Sequence, residues 1–183
     1  MNVKTMLIAD TETYTKHDLI DIYEQHSPGI YRYAFRLLGD KTTTEDCVSE
    51  TFSRFLGAVR RGGGPYENVR AYLYRVAHNW ITDFYRRQPL PELPLEIDEH
   101  VEPGSNPANL VSEAMERERV RVALLRLPPE QQQIIQLRFL ENWSHEEVAL
   151  VLGKTADATR SLQYRAMVSL RRMLHEEEEV SNE

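Results

Sequence analysis

LPPEQQQIIQLRFLENWSHEEVALVLGKTADATRSLQYRAMVSLRRML, residues 127–174, sets the fold class. Ser144 and Glu147 stand at capping-box spacing, so each can satisfy a free N–H at a helix start. Val148, Ala149 and Leu152 give that short helix its buried stripe. Gly153 supplies a turn, and Thr155 can cap the helix that follows. At 100° per residue Leu162, Ala166, Leu170 and Met173 form the core face of this second helix. Two short helices joined by a glycine turn, the second running into basic residues, describe a helix-turn-helix. Ala156, Asp157, Arg160, Ser161 and Tyr164 then point outward near the end that would enter a major groove, where Arg can fork onto guanine and Asp can accept from cytosine. Arg165, Arg171 and Arg172 are placed to meet phosphates. A plain helical hairpin with a solvated face is the alternative.

Outward from this unit, Pro128-Pro129 starts one helix, and Leu110 to Leu127 reads as an amphipathic helix before it. The preceding segment, RRQPLPELPLEIDEHVEPGSNPANL, holds Pro89, Pro91, Pro94, Pro103 and Pro107 and is expected to carry no helix. Beyond Arg87 its acids and its lack of Lys and Arg make it an extended connector that repels itself, able to span on the order of 80 Å. Toward the N-terminus, His17 to Leu38 is apolar at helical spacing, with an interruption expected near Ser27-Pro28-Gly29 and an end at Gly39-Asp40. Thr44 is expected to open a second helix with Cys47, Val48, Thr51, Phe52, Phe55 and Leu56 on one face, stopped at Gly62-Gly63-Gly64-Pro65. No strand alternation or internal repeat is present. The expected fold is all-α: two small helical domains joined by a flexible acidic Pro-rich linker. The expected bounds are 1–88 for the first domain, 89–112 for the linker, 113–175 for the helix-turn-helix domain and 176–183 for an acidic tail.

The 183-residue chain carries a net charge of −7, which at first argues against nucleic acid. Divided by segment, residues 1–88 are near balance, 89–116 hold 7 acids and no Lys or Arg, 117–175 hold 10 bases against 6 acids, and 176–183 hold 5 acids. The acidity sits in a connector and a tail, and the C-terminal unit is basic. No apolar run approaches the roughly 18 residues of a spanning helix. The N-terminal patch Met6 to Ala9 is too short for a signal peptide. A single cysteine, Cys47, excludes an intramolecular disulfide and a cysteine zinc cluster, and reads as a small buried hydrophobe, with a redox switch as the alternative. No cofactor and no metal site are expected, and the chain is expected to be cytoplasmic.

Residues 66–88, YENVRAYLYRVAHNWITDFYRRQ, carry six aromatic rings and four arginines, more than one buried stripe requires. Val69, Leu73, Val76, Ala77, Trp80 and Phe84 share one arc and read as core. The other arc holds Tyr74, Arg75, His78, Asn79, Thr82, Tyr85 and Arg86, a face at once polar, basic and aromatic. A separated nucleic-acid strand suits such a face, because its bases stack on rings while its phosphates meet arginines. An ordinary exposed face with snorkelling rings is the plainer account.

Four stretches in order carry a resemblance: YRYAFRLLGD (31–40), EDCVSETFSRFL (45–56), VRAYLYRVAHNWITDFYRRQ (69–88) and residues 124–174. Together they resemble the extracytoplasmic-function group of the sigma-70 family, the promoter-recognition subunits of bacterial RNA polymerase. The resemblance implies that Glu45, Asp46, Ser49, Glu50, Phe52 and Phe55 dock on the clamp helices of the polymerase's largest subunit, with Phe52 alternatively buried. Cys47 stands where leucine is usual and Ser49 where glutamine is common, which shortens one contact. It also implies that the loop with Gly63, Tyr66 and Asn68, together with Tyr72, Tyr74, Arg75, His78, Asn79, Thr82 and Arg86, melts and holds the −10 element. Thr155, Ala156, Asp157, Thr159, Arg160, Ser161, Tyr164 and Arg165 would then read the −35 element. Asp157 replaces a frequent glycine and Thr159 a common valine, so promoter preference is expected to be unusual.

The implied partners are core RNA polymerase, through its clamp helices and flap, promoter DNA, and a separate anti-sigma factor. The free chain is expected to be a monomer without membrane insertion. The acidic linker either mimics nucleic acid in the polymerase cleft or is a solvated spacer. The tail reads as a solubilising helix end or as an intramolecular shield for the basic unit. Enzymatic readings fail for want of partners: His17-Asp18 and His145-Glu146 lack further ligands at usable spacing, and HEEVA lacks the second zincin histidine. A response-regulator or quorum-sensing type of DNA-binding protein would need a phosphoacceptor or ligand-binding domain, which residues 1–88 do not suggest.

Overall fold

Capping chemistry sets the helix boundaries in the computed structural model of the chain, which describes residues 14–62, 64–65, 67–87 and 107–181, with side chains omitted at 107–113 and 176–181. The helices are α1 (Lys16–Leu38), α2 (Lys41–Arg60), α3 (Val69–Arg87), α4 (Pro107–Leu125), α5 (Pro129–Ile135), α6 (His145–Leu152) and α7 (Ala156–Ser181), with a π-helical turn at Gln136–Leu140 between α5 and α6. No strand occurs among the described residues, and the fold is all-α. Expectations for residues 1–13, most of the linker (88–106) and the last two residues lie outside the described residues.

Thr15 caps α1 through a reciprocal box with Asp18. The helix then runs unbroken through Pro28 to Leu38, where an interruption was expected. Pro28 removes one ladder bond, but it lies on an exposed side of the helix, where water can serve the freed carbonyl. Gly39 closes α1 in the left-handed conformation (φ 70°), as expected for a C-terminal glycine. Asp40, not Thr44, caps α2: its carboxylate accepts from the Thr43 N–H at 2.6 Å. Thr44 is a turn further in, fully buried, with its hydroxyl donating to the Asp40 carbonyl.

The expected linker end is also revised. α4 starts at Pro107 rather than Leu110, because proline at the first helical position gives up an N–H that has no partner there anyway. Pro129 repeats this at the start of α5. Ser144 and Glu147 form the expected capping box of α6. Gly153 turns the chain at φ 62°, and Thr155 Oγ1 accepts from the Ala158 N–H at 3.2 Å.

α1, α2 and α3 pack around Ile30, Tyr33, Leu37, Phe55, Leu73 and Ile81, while the C-terminal helices enclose Ile134, Leu137, Val148, Val151, Leu162 and Ala166. The two sets join into one apolar cluster, because α6 packs on α3 and α4 on α1. Cys47 lies wholly inside the first set, its thiol directed at the Ala77 carbonyl (3.9 Å) and pushed up to about 12 by burial. A thiol that resists ionisation is a poor nucleophile.

Two outcomes follow. Cys47 should react with a thiol reagent only at the rate of global unfolding, measured by labelling across a urea series. Gly153→Ala should cost about 1–2 kcal/mol in urea unfolding, since the left-handed backbone is strained for alanine although nothing lies within 4 Å of the added carbon.

Candidate nucleic-acid interface

The start of α7 presents Asp157, Arg160, Ser161, Tyr164 and Arg165 to solvent, as the helical spacing predicted. Arg160 is not loose. Its Nη1 meets Asp157 Oδ1 at 2.6 Å and its Nη2 meets Glu146 Oε1 at 3.4 Å. Both carboxylates are well exposed, so this pairing is weak and can be exchanged for a base edge. Ala156 is only half-buried, and Thr155 is committed to capping. Thr159 corrects the expectation that it faces DNA: it is fully buried, with its hydroxyl donating to the Ala156 carbonyl at 2.7 Å and lying 3.0 Å from His145 Nδ1. It fastens α7 to α6. The β-branched residue at this position was readable as a packing residue.

On α2, Glu45, Asp46 and Ser49 are exposed, and Glu50 pairs with Arg54 at 2.7 Å. Phe52 and Phe55 are buried at 6% and 1% exposure and do not form part of an outer surface. Phe52 meets the Tyr23 ring edge-on at 4.8 Å, and Phe55 packs on Tyr14 and Tyr72.

The arcs expected on α3 are rotated in the structure. Arg75, Asn79 and Arg86 are exposed, and Asn68 is exposed just before the helix. Tyr74 and His78, expected on the outer face, are each only 3% exposed, while Trp80 and Phe84, expected inside, stack on one another and are half-buried. Ala71 and Ile81 are buried and had not been assigned to the core arc. Tyr72, Thr82 and Tyr85 are half-buried. Gly63 and Tyr66 lie outside the described residues. The reason for the rotation is a third neighbour. A helix packed only on α1 and α2 needs one stripe, but α3 also receives α6.

That third contact is polar and specific. His78 Nε2 lies 2.9 Å from the Pro129 carbonyl, and Nδ1 lies 2.8 Å from the Tyr33 hydroxyl. A carbonyl only accepts, so Nε2 carries the proton and Tyr33 donates to Nδ1. Burial holds His78 down at about 4. Tyr74 donates to Glu141 Oε2 at 3.0 Å, and its phenol is raised well above its ordinary value by burial and then by that carboxylate. Glu141 Oε1 accepts from Arg36 at 2.5 Å. Arg70 lies 3.9 Å over the Trp143 ring and reaches Glu147 at 3.3 Å. At the far end, the Leu37 carbonyl in the last turn of α1 accepts from Tyr85 at 2.8 Å and from Arg121 at 3.2 Å. Arg121 is itself clasped by the Glu118 carboxylate.

Comparisons with known proteins agree with this architecture. The family model for sigma-70 region 2 matches residues 22–89, and that for sigma-70 region 4 matches residues 123–172. The ECF RNA polymerase sigma factor SigL of Mycobacterium tuberculosis is 30% identical over 155 residues, which are 85% of this chain and 88% of SigL. The chain belongs to the sigma-70 family, in its extracytoplasmic-function group. The ECF sigma factor BldN of Streptomyces coelicolor is 35% identical over 84% of this chain, which spans 59% of BldN's length. Among solved structures, CnrH in complex with the cytosolic domain of CnrY superposes at TM-score 0.61 with 23% identity, covering 91% of this chain and 94% of that one. RpoE of Bartonella quintana in complex with the anti-sigma factor NepR superposes at 0.59 with 19% identity, covering 86% and 97%. These two likenesses speak for the fold.

His78 gives this sigma-family chain a pH dependence with a defined sign. Its folded value lies below the ordinary 6.5, so the unfolded chain binds the proton first as pH falls. Stability from neutral His78 is complete above pH 6.5 and should decline by about 3 kcal/mol toward pH 4. Urea unfolding across that window should show the decline, and His78→Gln should flatten it.

Proposed function

We propose that this chain is a promoter-recognition subunit of bacterial RNA polymerase: it binds the core enzyme, directs it to a defined promoter and helps hold the opened strand, without catalysing a reaction itself. The observation that carries the proposal is the succession of a region 2 match and a region 4 match in one chain, the latter ending on the exposed Asp157, Arg160, Ser161, Tyr164 and Arg165. α3 ends at Arg87 and α4 runs from Pro107 through 113, so the C-terminal unit is proposed to begin with α4 at Pro107.

The division of labour follows from chemistry. The start of α7 enters the major groove of the upstream element, with Arg160 leaving Asp157 and Glu146 for a guanine edge. Ser161, Tyr164 and Arg165 support it on the same face. On α3, Arg75, Asn79 and Arg86 meet the separated −10 strand. Glu45, Asp46 and Ser49 on α2 supply a polar face for the polymerase clamp. Among the described residues no helix is long and apolar enough to cross a membrane, which is compatible with work in the cytoplasm. RpoE, a protein of the same fold, was solved with an anti-sigma factor, and a separate inhibitor of that kind is proposed here as well.

The test is runoff transcription with purified core polymerase and a promoter library. The chain alone should program core enzyme to start at a defined site. Binding of duplex DNA without association with core enzyme would favour an ordinary operator-binding regulator. Arg160→Ala should weaken upstream-element recognition by about 5- to 150-fold, the loss of about 1–3 kcal/mol expected for one bidentate contact. Arg75→Ala should slow strand opening with duplex binding retained. Equal effects of both substitutions on both steps would contradict this assignment.

A further inference from the structure

Thr159 does more than fasten two helices. It is fully buried at the contact of α6 with α7, and its single hydroxyl proton goes to the Ala156 carbonyl at 2.7 Å. Its oxygen therefore faces His145 Nδ1, 3.0 Å away, as an acceptor, and that ring nitrogen must carry the proton. A neutral imidazole has one ring proton, so Nε2 is left bare. No group among the described residues takes Nε2 as a partner. We propose that Thr159 is a positioning residue that fixes His145 in this tautomer, so that His145 meets a DNA phosphate only after taking up a proton and duplex binding strengthens as pH falls.

The surroundings of the ring support this. His145 opens α6, is half-buried, and touches the residue just before Arg160, which faces the groove. In a helix-turn-helix the first helix crosses the DNA backbone while the second enters the groove. Each neighbouring element brings a charge. Arg138 of the π-helical turn is tied to Gln163 at 3.2 Å and to the Trp143 carbonyl. Arg160 of α7 is shared by Asp157 and Glu146, and Arg70 of α3 is paired with Glu147 at 3.3 Å. Burial first, then the Arg138 and Arg160 charges, hold His145 below its ordinary value, with Glu146 acting against them. The ring is therefore neutral in the free chain at neutral pH.

A phosphate oxygen only accepts, and so does a bare Nε2, so the neutral ring has nothing to donate. A phosphate at this edge faces both arginines and favours the imidazolium, whose Nε2–H can then donate. The bound chain thus takes the proton at higher pH than the free chain, and affinity rises as pH falls through the bound value. The gain is complete once the free chain is protonated as well. Valine at position 159 would fill similar space without an acceptor, which lets the proton sit on Nε2, where a neutral ring donates with no proton uptake. Serine would keep the hydroxyl. The choice of DNA as the phosphate bearer rests on the proposed sigma function; the placement of the ring proton does not.

The test uses the full chain and two readouts. Ring-nitrogen chemical shifts, assigned to His145 by their loss in His145→Gln, should show the proton on Nδ1 in the parent and in Thr159→Ser, and on Nε2 in Thr159→Val. Affinity for a fluorescein-labelled DNA duplex of mixed sequence should rise roughly five- to tenfold from about pH 8 to about pH 6 in the parent, the worth of one hydrogen bond to a charged group. His145→Gln should remove most of that rise. Thr159→Val should flatten it by lifting affinity at the upper end, and Thr159→Ser should restore it, with the thermal midpoint reporting that each variant is folded. A proton on Nε2 in the parent would overturn the tautomer assignment. A pH response that survives in His145→Gln would overturn the phosphate contact. Failure of the parent in runoff transcription, with its pH-dependent duplex binding intact, would remove the proposed function and leave the proton-linked contact standing.

Discussion

Glu141 is the constraint on which the arrangement of the two units turns. A carboxylate taken almost wholly out of water must be matched by donors on every open side. The chain meets that need with Arg36 from α1 and Tyr74 from α3, two helices that the N-terminal core already holds in place. The same side of α3 also packs on α6, and beside Glu141 lie Trp143 under Arg70 and the hydrogen bond from His78 to the Pro129 carbonyl. Together they bury Tyr74 and His78, two rings of the α3 face that suggested a nucleic-acid strand, and leave Arg75, Asn79 and Arg86 of that face outside.

α3 carries two loads, and its composition records both. Leu73, Ala77 and Ile81 fill the core of the three-helix unit, while Tyr74 and His78 meet the C-terminal unit. Arg75, Asn79 and Arg86 remain outside. The surplus of rings and arginines in residues 66–88 therefore has a second cause besides DNA: a helix with three packed sides needs side chains large enough to reach a third neighbour and polar enough to pair with its carbonyls and carboxylates.

Local chemistry was largely legible in the sequence. The Ser144–Glu147 box, the turn at Gly153, the cap at Thr155, the stop at Gly39 and the core stripe of α7 are each set by residues within a turn of one another. Four readings misled, three of them local and one set by a distant partner. Thr44 looked like a cap until Asp40, four residues earlier, took the role. Pro28 looked like a break, but one exposed ladder bond is a small loss in a helix anchored by Ile30, Tyr33 and Leu37. The phase of α3 was wrong because a helical wheel shows stripes without saying how many neighbours there are. Thr159 was assigned to DNA by analogy with its position, although its burial against α6 follows from the same wheel that placed Leu162 and Ala166 inside.

The account stands on Tyr74 being covered in the free chain. Oxidative footprinting with quantitative mass spectrometry measures this directly, with Tyr164, 73% exposed, as the reference within the same molecule. Tyr74 should be modified many times more slowly than Tyr164 in the free protein and should gain reactivity in the Glu141→Gln variant. Modification of Tyr74 at the rate of Tyr164 in the free protein would contradict the account.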